Sequence, residues 1–366
     1  MEHHKNSEEK SGITTGSCAT AASVAALLTI LDKPPVIVNI IAPKSKLTAD
    51  IYDTKKISDI EAKAVVEKPT YNDPDVTRGI KIVSEVTLTD NTGVVEITAG
   101  IGVGVVTKPG LQIPVGEFAI NPVPRKMICE NVKRFLPEDK GAIVKISIPE
   151  GKKIAPKTMN SRLGIIDGIS ILGTTGIARP MSNKAYKDSL RVQIDVAIAN
   201  GYEDLLYVPG NIGTRIAHEH LNIAEDAIIE MSNFVGYMIE EADKTGKINS
   251  ITLFGHAGKL IKVAAGITNT KQSVADARRE IMTAYTALVG AKREVLQEIF
   301  ECITTEDVIK ILDEHNLTTE VFELIGQKIE ELCELKYDMK FNAVIVKMNG
   351  DVLNPSRIDK IPFDWK

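Results

Sequence analysis

Cysteine is scarce in this chain. Its 366 residues hold four, Cys18, Cys129, Cys302 and Cys333, and none forms a C-x-x-C pair. That spacing signals neither a zinc site nor a redox pair, and it suits reduced thiols. Long apolar runs are missing too, since none reaches the roughly 18 residues that a membrane span requires. The first ten residues carry His3, His4 and several charges, in place of the apolar core of a signal peptide. The expectation is a cytoplasmic protein with no membrane partner and a disordered tail over residues 1–12. A basic excess is also lacking: 44 Lys and Arg stand against 49 Asp and Glu, a net charge of −5. This leaves no footprint for nucleic acid, and an anionic ligand must be met by a local cluster of cations. There is no tandem repeat, no low-complexity tract, no nucleophile elbow and no Ser/His/Asp order.

What is present is an ordinary globular balance, 43% hydrophobic and 25% charged. The length favours two domains over one. Thr14 and Thr15 can cap a helix running to about Leu31. A strand-rich region follows. Val36 to Ile41 is almost continuously apolar; Ile80, Ile82, Val86 and Leu88 alternate with polar residues, as do Val144, Ile146 and Ile148. That is the period of half-buried strands. Asn121-Pro122-Val123-Pro124 reads as the start of a helix from Arg125 to Leu136. Glu150 to Arg162 has no period and is taken as the boundary region.

Beyond it the pattern changes. Three apolar runs, Ile169–Leu172, Leu205–Val208 and Ile251–Phe254, each end in a glycine-bearing loop and lead into a helix. Such units in series predict a parallel sheet flanked by helices. Ser273 to Phe300 reads as one long helix, more helix follows to Leu335, and Asn342 to Lys347 adds a last strand. The fold class is therefore α/β: a mixed α+β domain over 13–155 and a Rossmann-like α/β domain over 160–366.

Open parallel sheets bind ligands beyond the carboxyl ends of their strands. That rule makes Gly173, Thr174, Thr175 and Gly176, with Gly255, His256 and Gly258, the candidates for a nucleoside-type ligand. The loop Pro209-Gly210-Asn211 is the weaker third member, and Gly100 to Gly104 is a rival in the first domain. Gly255-His256-Ala257-Gly258-Lys259 is not a P-loop, because the glycine spacing is short and Leu260 follows the lysine. Lys108, Arg125, Arg179 and Lys259 lie near glycine loops and are candidates for a polyanionic ligand. Asp75, in the turn Asp73-Pro74-Asp75, and Glu117 are candidate general bases. His218 and His220 would point about 200° apart on a helix, which disfavours a shared metal.

Several of these segments resemble one family. Thr14-Thr15-Gly16-Ser17-Cys18-Ala19, Asp73 to Thr77, Thr107 to Arg125, Ile169 to Ser182 and Gly258-Lys259-Leu260 are similar to the cobalt-precorrin-5B C1-methyltransferase (CbiD) family of the anaerobic cobalamin pathway. The resemblance covers roughly residues 10 to 295. It implies methyl transfer from S-adenosyl-L-methionine to C1 of a cobalt-containing corrinoid, giving cobalt-precorrin-6A. The donor is then expected on the glycine loops of the second domain. The corrinoid's carboxylates would meet Lys108, Arg125, Arg179 and Lys259, with Asp75 or Glu117 handling protons. Cobalt would arrive inside the substrate, so no protein metal site is implied. A non-catalytic corrinoid-binding protein is the alternative.

Overall fold

The structure is a computed structural model that describes residues 12–70, 75–178 and 183–366. It divides into two compact units, residues 1–183 and 184–366.

In the first unit the helix α1 (Thr15–Ile30) is buried at every position but Leu28. Its sequence is dominated by Ala, Ser and Thr, so it has no polar face and must be enclosed all round. The buried hydroxyls of Thr20, Ser23 and Thr29 satisfy themselves on the carbonyls four residues back, which removes the penalty for burying them. Thr14 caps the helix by accepting from Ser17 N at 3.2 Å.

The helix packs on a sheet of β1 (Asp53–Lys56), β2 (Glu61–Glu67), β3 (Lys81–Thr89), β4 (Val95–Ala99) and β5 (Gly141–Ser147), in the order β1-β2-β3-β5-β4. Only β4 and β5 run parallel. The alternation read from the sequence is the inward face: Ile82, Val86, Val144 and Ile146 are buried together with Ala62 and Ala64. A second helix, α2 (Pro122–Lys133), starts at its two prolines.

In the second unit, β6 (Asp204–Val208), β7 (Ile228–Glu230), β8 (Ser250–His256) and β9 (Lys340–Val346) form an all-parallel sheet in the order β7-β6-β8-β9. All seven residues of β8 but His256 are buried, as expected for a strand covered on both faces. Helices α3 (Asn183–Ala199), α4 (Asn211–His220), α5 (Val235–Asp243), α6 (Arg278–Leu288), α7 (Arg293–Glu301), α8 (Thr305–Glu314) and α9 (Thr318–Glu334) complete it.

Four expectations need correction. Residues 160–183 stay with the first unit, because Ile165–Ile166 pairs with Val105–Val106, Gly168–Ile169 with Gly102–Val103, and Ile177–Ala178 with Gly12–Ile13. The run Ile169–Leu172 is thus not a strand of the parallel sheet. The sheet's missing member is the three-residue β7, which the sequence reading passed over as helical. Ser273 to Phe300 is two helices, broken at Gly290, whose φ is 81°. Finally, Gly100 to Gly104 is not an open nest. Gly102 sits at φ 77°, and a Cβ there would overlap the Ile148 carbonyl, while Cβ atoms on Gly151 and Gly168 would overlap the carbonyl of Gly102. These glycines let three backbone segments touch, and the space is already full.

That crossing gives a stability test. Gly151→Ala is expected to destabilise the protein by at least about 3 kcal/mol, since overpacking against backbone has no side chain to yield. Gly93→Ala meets nothing within 4 Å at φ 71°, so it costs only the left-handed penalty of about 1–2 kcal/mol. Urea midpoints of the two variants compare them, and equal losses would contradict the packing argument.

Candidate functional site

The loop Gly173–Gly176 lies against the start of α1. Gly16 N donates to Leu172 O at 3.0 Å, Thr14 N to Gly176 O at 3.1 Å, and Ser17 Oγ to the same carbonyl at 2.7 Å. Leu172 N donates to Thr15 Oγ1 at 2.9 Å. The Thr-Thr-Gly-Ser segment and the Gly-Thr-Thr-Gly loop therefore satisfy each other. Among the described residues Thr175 Oγ1 bonds the Ile177 backbone, at 3.3 Å, and Thr174 is exposed. The run before this loop is not a strand of the parallel sheet, so the loop is not one of that sheet's strand–helix connections as expected from the sequence.

Asp75 is engaged. Its carboxylate accepts from Lys68 Nζ at 2.6 Å, and from Thr77 N and Oγ1 at 2.8 and 2.6 Å. Burial works to raise its pKa, but these bonds outweigh it and hold the carboxyl below the ordinary range. A carboxylate so held is a weak base, and its geometry is that of a clamp on Lys68, which is 2% exposed. Asp73 lies outside the described residues. Glu117 is exposed and stands 3.5 Å from Arg125. Arg125 also donates to the carbonyls of Ile120 and Phe118, at 2.9 and 3.4 Å, and so pins the loop before α2. The stem of Lys108 lies over Gly164, whose φ is 74°. Arg179 is outside the described residues.

The second unit has a topological switch point, where a crevice is expected. From β6 the chain moves to β7 on one flank; from β8 it moves to β9 on the other. Their departing connections separate, and ligands of open α/β sheets bind at such a switch point. Its walls are Pro209-Gly210-Asn211 and His256-Ala257-Gly258-Lys259. Gly255 lets β8 pass Pro209, since a Cβ would lie 2.7 Å from the proline ring.

His256 ties the loop down. Gly258 N donates to its Nδ1 at 3.2 Å, so the ring proton sits on Nε2, which bonds Glu306 Oε1 at 2.7 Å. With both nitrogens used, the residue positions the loop and its link to α8. Lys259 donates to the Asn233 side-chain oxygen. Burial, then the charge of Arg278, depresses its pKa. Lys262 is buried on the carbonyls of Ala275 and Thr270, at 2.7 and 3.3 Å. Asp276 is held down to about 2, first by its bond from Arg278. A cleft of about 290 Å³ borders this cluster, with Gln272, Asp276, Arg278, Met282, Cys302 and Thr305 in its lining. The sequence reading found Gly255, His256, Gly258 and Lys259 here. It missed Asn233, Arg278, Thr305 and Glu230, which come from a loop, two helices and a strand end of no motif.

Among known proteins, the family described as CbiD matches residues 2–180, and its C-terminal domain matches residues 269–357. The chain belongs to the CbiD family. The CbiD relative from Methanosphaera stadtmanae, a cobalt-precorrin-5B C(1)-methyltransferase, is 75% identical over 100% of this chain and 97% of its own. The protein of the same name from Methanobrevibacter smithii is 52% identical over 95% and 97%. A crystal structure of the cobalamin biosynthesis protein CbiD from Archaeoglobus fulgidus is 27% identical, covering 74% of this chain and 84% of that one at a TM-score of 0.38. CbiD membership places the chain among the methyltransferases of cobalamin biosynthesis. No helix among the described residues is long and apolar enough to cross a membrane.

The Asp75 clamp has a pH signature. Asp75→Asn should lower stability at pH 7 by about 2 kcal/mol, the scale of a hydrogen bond to a charged group. Because the folded pKa is depressed, the contribution is present above the unfolded value of about 3.9 and is lost as pH falls through the folded value. Urea melts of both proteins from pH 7 to pH 3 should therefore converge in acid. A gap that persists unchanged to pH 3 would show that the carboxylate's charge is irrelevant.

Proposed function

We propose that this chain transfers a methyl group from S-adenosyl-L-methionine to C1 of cobalt-precorrin-5B, giving cobalt-precorrin-6A and S-adenosylhomocysteine. The observation that carries the reading is the near full-length identity to relatives of that name, 75% and 52%. The switch-point crevice supports it, because an open parallel sheet offers a nucleoside a cradle of backbone at that edge.

The donor, when bound, supplies a sulfonium methyl that leaves without its bonding pair while the macrocycle provides the pair for the new carbon–carbon bond. For the chain's own residues the task is placement. Holding two reactants in line converts a bimolecular step into one with an effective molarity of about 10⁵–10⁸ M at best. His256, latched to Glu306 and to Gly258, keeps the loop from moving during that step. Lys259 supplies a positive charge in a protein whose net charge is −5. The corrinoid brings its own cobalt and a rim of carboxylates, so the substrate needs cationic contacts from the protein and no resident metal.

Purified protein incubated with methyl-labelled donor and cobalt-precorrin-5B should yield a labelled corrinoid and one equivalent of S-adenosylhomocysteine. Calorimetry should show S-adenosylhomocysteine bound at one site per chain and ATP much more weakly. Binding of the corrinoid without methyl transfer and without any response to S-adenosylhomocysteine would instead establish a carrier.

A further inference from the structure

We propose that the crevice binds the methyl donor with a fixed polarity, the ribose hydroxyls on Glu230 and the amino-acid carboxylate on Lys259; this rests on the donor reading above.

Glu230 is the last residue of β7 and lies in register with Val208, the last of β6. It follows Gly210 by twenty residues. In sheets that bind nucleosides at a switch point, an acid about 20 residues beyond the first glycine turn, at this place in the first strand–helix–strand unit, accepts the ribose hydroxyls. Its backbone is fixed. Glu230 N donates to Gln193 Oε1 at 3.0 Å, and Gln193 Nε2 donates to Glu230 O at 3.1 Å. Gly210 sits at φ 159°, ψ −164°, a region that is essentially glycine-only. Among the described residues, the atom within 4 Å of where its Cβ would be is Glu230 Oε1, at 3.7 Å. In contrast to the glycines of the first unit, this one meets no backbone atom of the described residues at its Cβ position, and the Glu230 carboxylate stands beside it. Gly213, three residues on, is instead packed against Val208 at 3.1 Å, which brings α4 close to the sheet.

The second end rests on different residues. Lys259 follows β8 and its partner Asn233 follows β7, so the ammonium is held across the end of β6, which lies between them. It makes no ion pair among the described residues. Nearby, Arg278 and Lys262 share one carboxylate, Asp276, at 2.6 and 3.8 Å. Three cations against one anion leave a part-buried ammonium facing a neutral amide, and a ligand carboxylate completes the set. At the start of α8 the Thr305 hydroxyl, in a side chain 5% exposed, has no hydrogen-bond partner among the described residues and stands 3.3 Å from the Cβ position of Gly258. The strands that carry Glu230 and the Lys259 loop lie two strand spacings apart, roughly 10 Å at the backbone.

Titration calorimetry with two ligands tests this. S-adenosylhomocysteine has both ends, and 5′-methylthioadenosine has the nucleoside alone. Glu230→Gln should weaken both by the same factor, about ten- to a hundredfold. Lys259→Met should weaken S-adenosylhomocysteine by a similar factor and leave methylthioadenosine unchanged, and Lys259→Arg should restore most of the loss. The unaltered protein gives a check that does not depend on variants folding: 2′-deoxy-methylthioadenosine and decarboxylated S-adenosylhomocysteine should each bind about ten times more weakly than their parents. Equal binding of the 2′-deoxy analogue, or an indifferent Glu230→Gln, overturns the ribose assignment. Equal loss of both ligands in Lys259→Met, or no loss on removing the carboxylate, overturns the other end. If the unaltered protein binds neither parent ligand, the donor reading itself falls, and the polarity with it.

Discussion

The strand order β7-β6-β8-β9 is the constraint on which the proposed donor site depends. A parallel strand must be followed by a crossover, and the crossover has a fixed hand. The chain leaving β6 therefore departs on the opposite side from the chain leaving β8. Neither connection can close the gap at the strands' carboxyl ends, because both begin there and lead away. The glycines at this edge serve that geometry in different ways. Gly255 lets β8 run past the Pro209 ring, which draws the two walls together. Gly210 meets no backbone atom of the described residues at its Cβ position. The latch from His256 to Glu306 then fixes the far wall to α8. The crevice is a product of topology first and of side chains second.

Much of the fold was legible where periodicity had room to show itself. Val144 to Ile148, Leu205 to Val208, Ile251 to Phe254 and Asn342 to Lys347 all fall in strands or at their ends. The failures have physical causes. Ile228–Glu230 is three residues long, too short for either a helical or an alternating pattern. Ile169–Leu172 has the composition of a buried parallel strand and is followed by glycines and then a helix, so its local signal matches Leu205–Val208. What differs is the partner: Gly168–Ile169 pairs with Gly102–Val103, and nothing in the local sequence says so. The break at Gly290 was overlooked because its flanks, Thr283 to Leu288 and Arg293 to Phe300, both keep helical spacing.

The candidate site was less legible, because a glycine loop in sequence is a statement about close approach and not about what approaches. In the first unit the answer is the protein itself. Gly151 and Gly168 both press on the backbone of Gly102, and Gly173 stands against Thr14. These contacts account for much of the residue identity that makes Thr-Thr-Gly-Ser and Gly-Thr-Thr-Gly so recognisable, without any ligand. Asp75 and Arg125 follow the same logic. One clamps the buried Lys68, the other holds the carbonyls of Phe118 and Ile120. A motif can be diagnostic of a family and still be spent on packing.

Charge separates the two cases more sharply than glycine does. Arg125, Lys68 and Arg278 each pair with a carboxylate of the same unit. Lys259 does not: its partner is the neutral Asn233, and burial together with Arg278 presses its pKa down. A fold gains nothing from a part-buried ammonium opposed by another cation, since desolvation and repulsion both count against it. Such an arrangement is sustained when the rest of the site over-determines it, here by the Asn233 bond and the rigid loop between His256 and α8. The same arrangement becomes favourable once an anion arrives, because a charge already desolvated and held in place binds a carboxylate with little further reorganisation. In a chain with a net charge of −5, long-range attraction cannot deliver that anion, so selection must come from contact at the crevice. That favours a ligand recognised at two points at once over one drawn in by field alone.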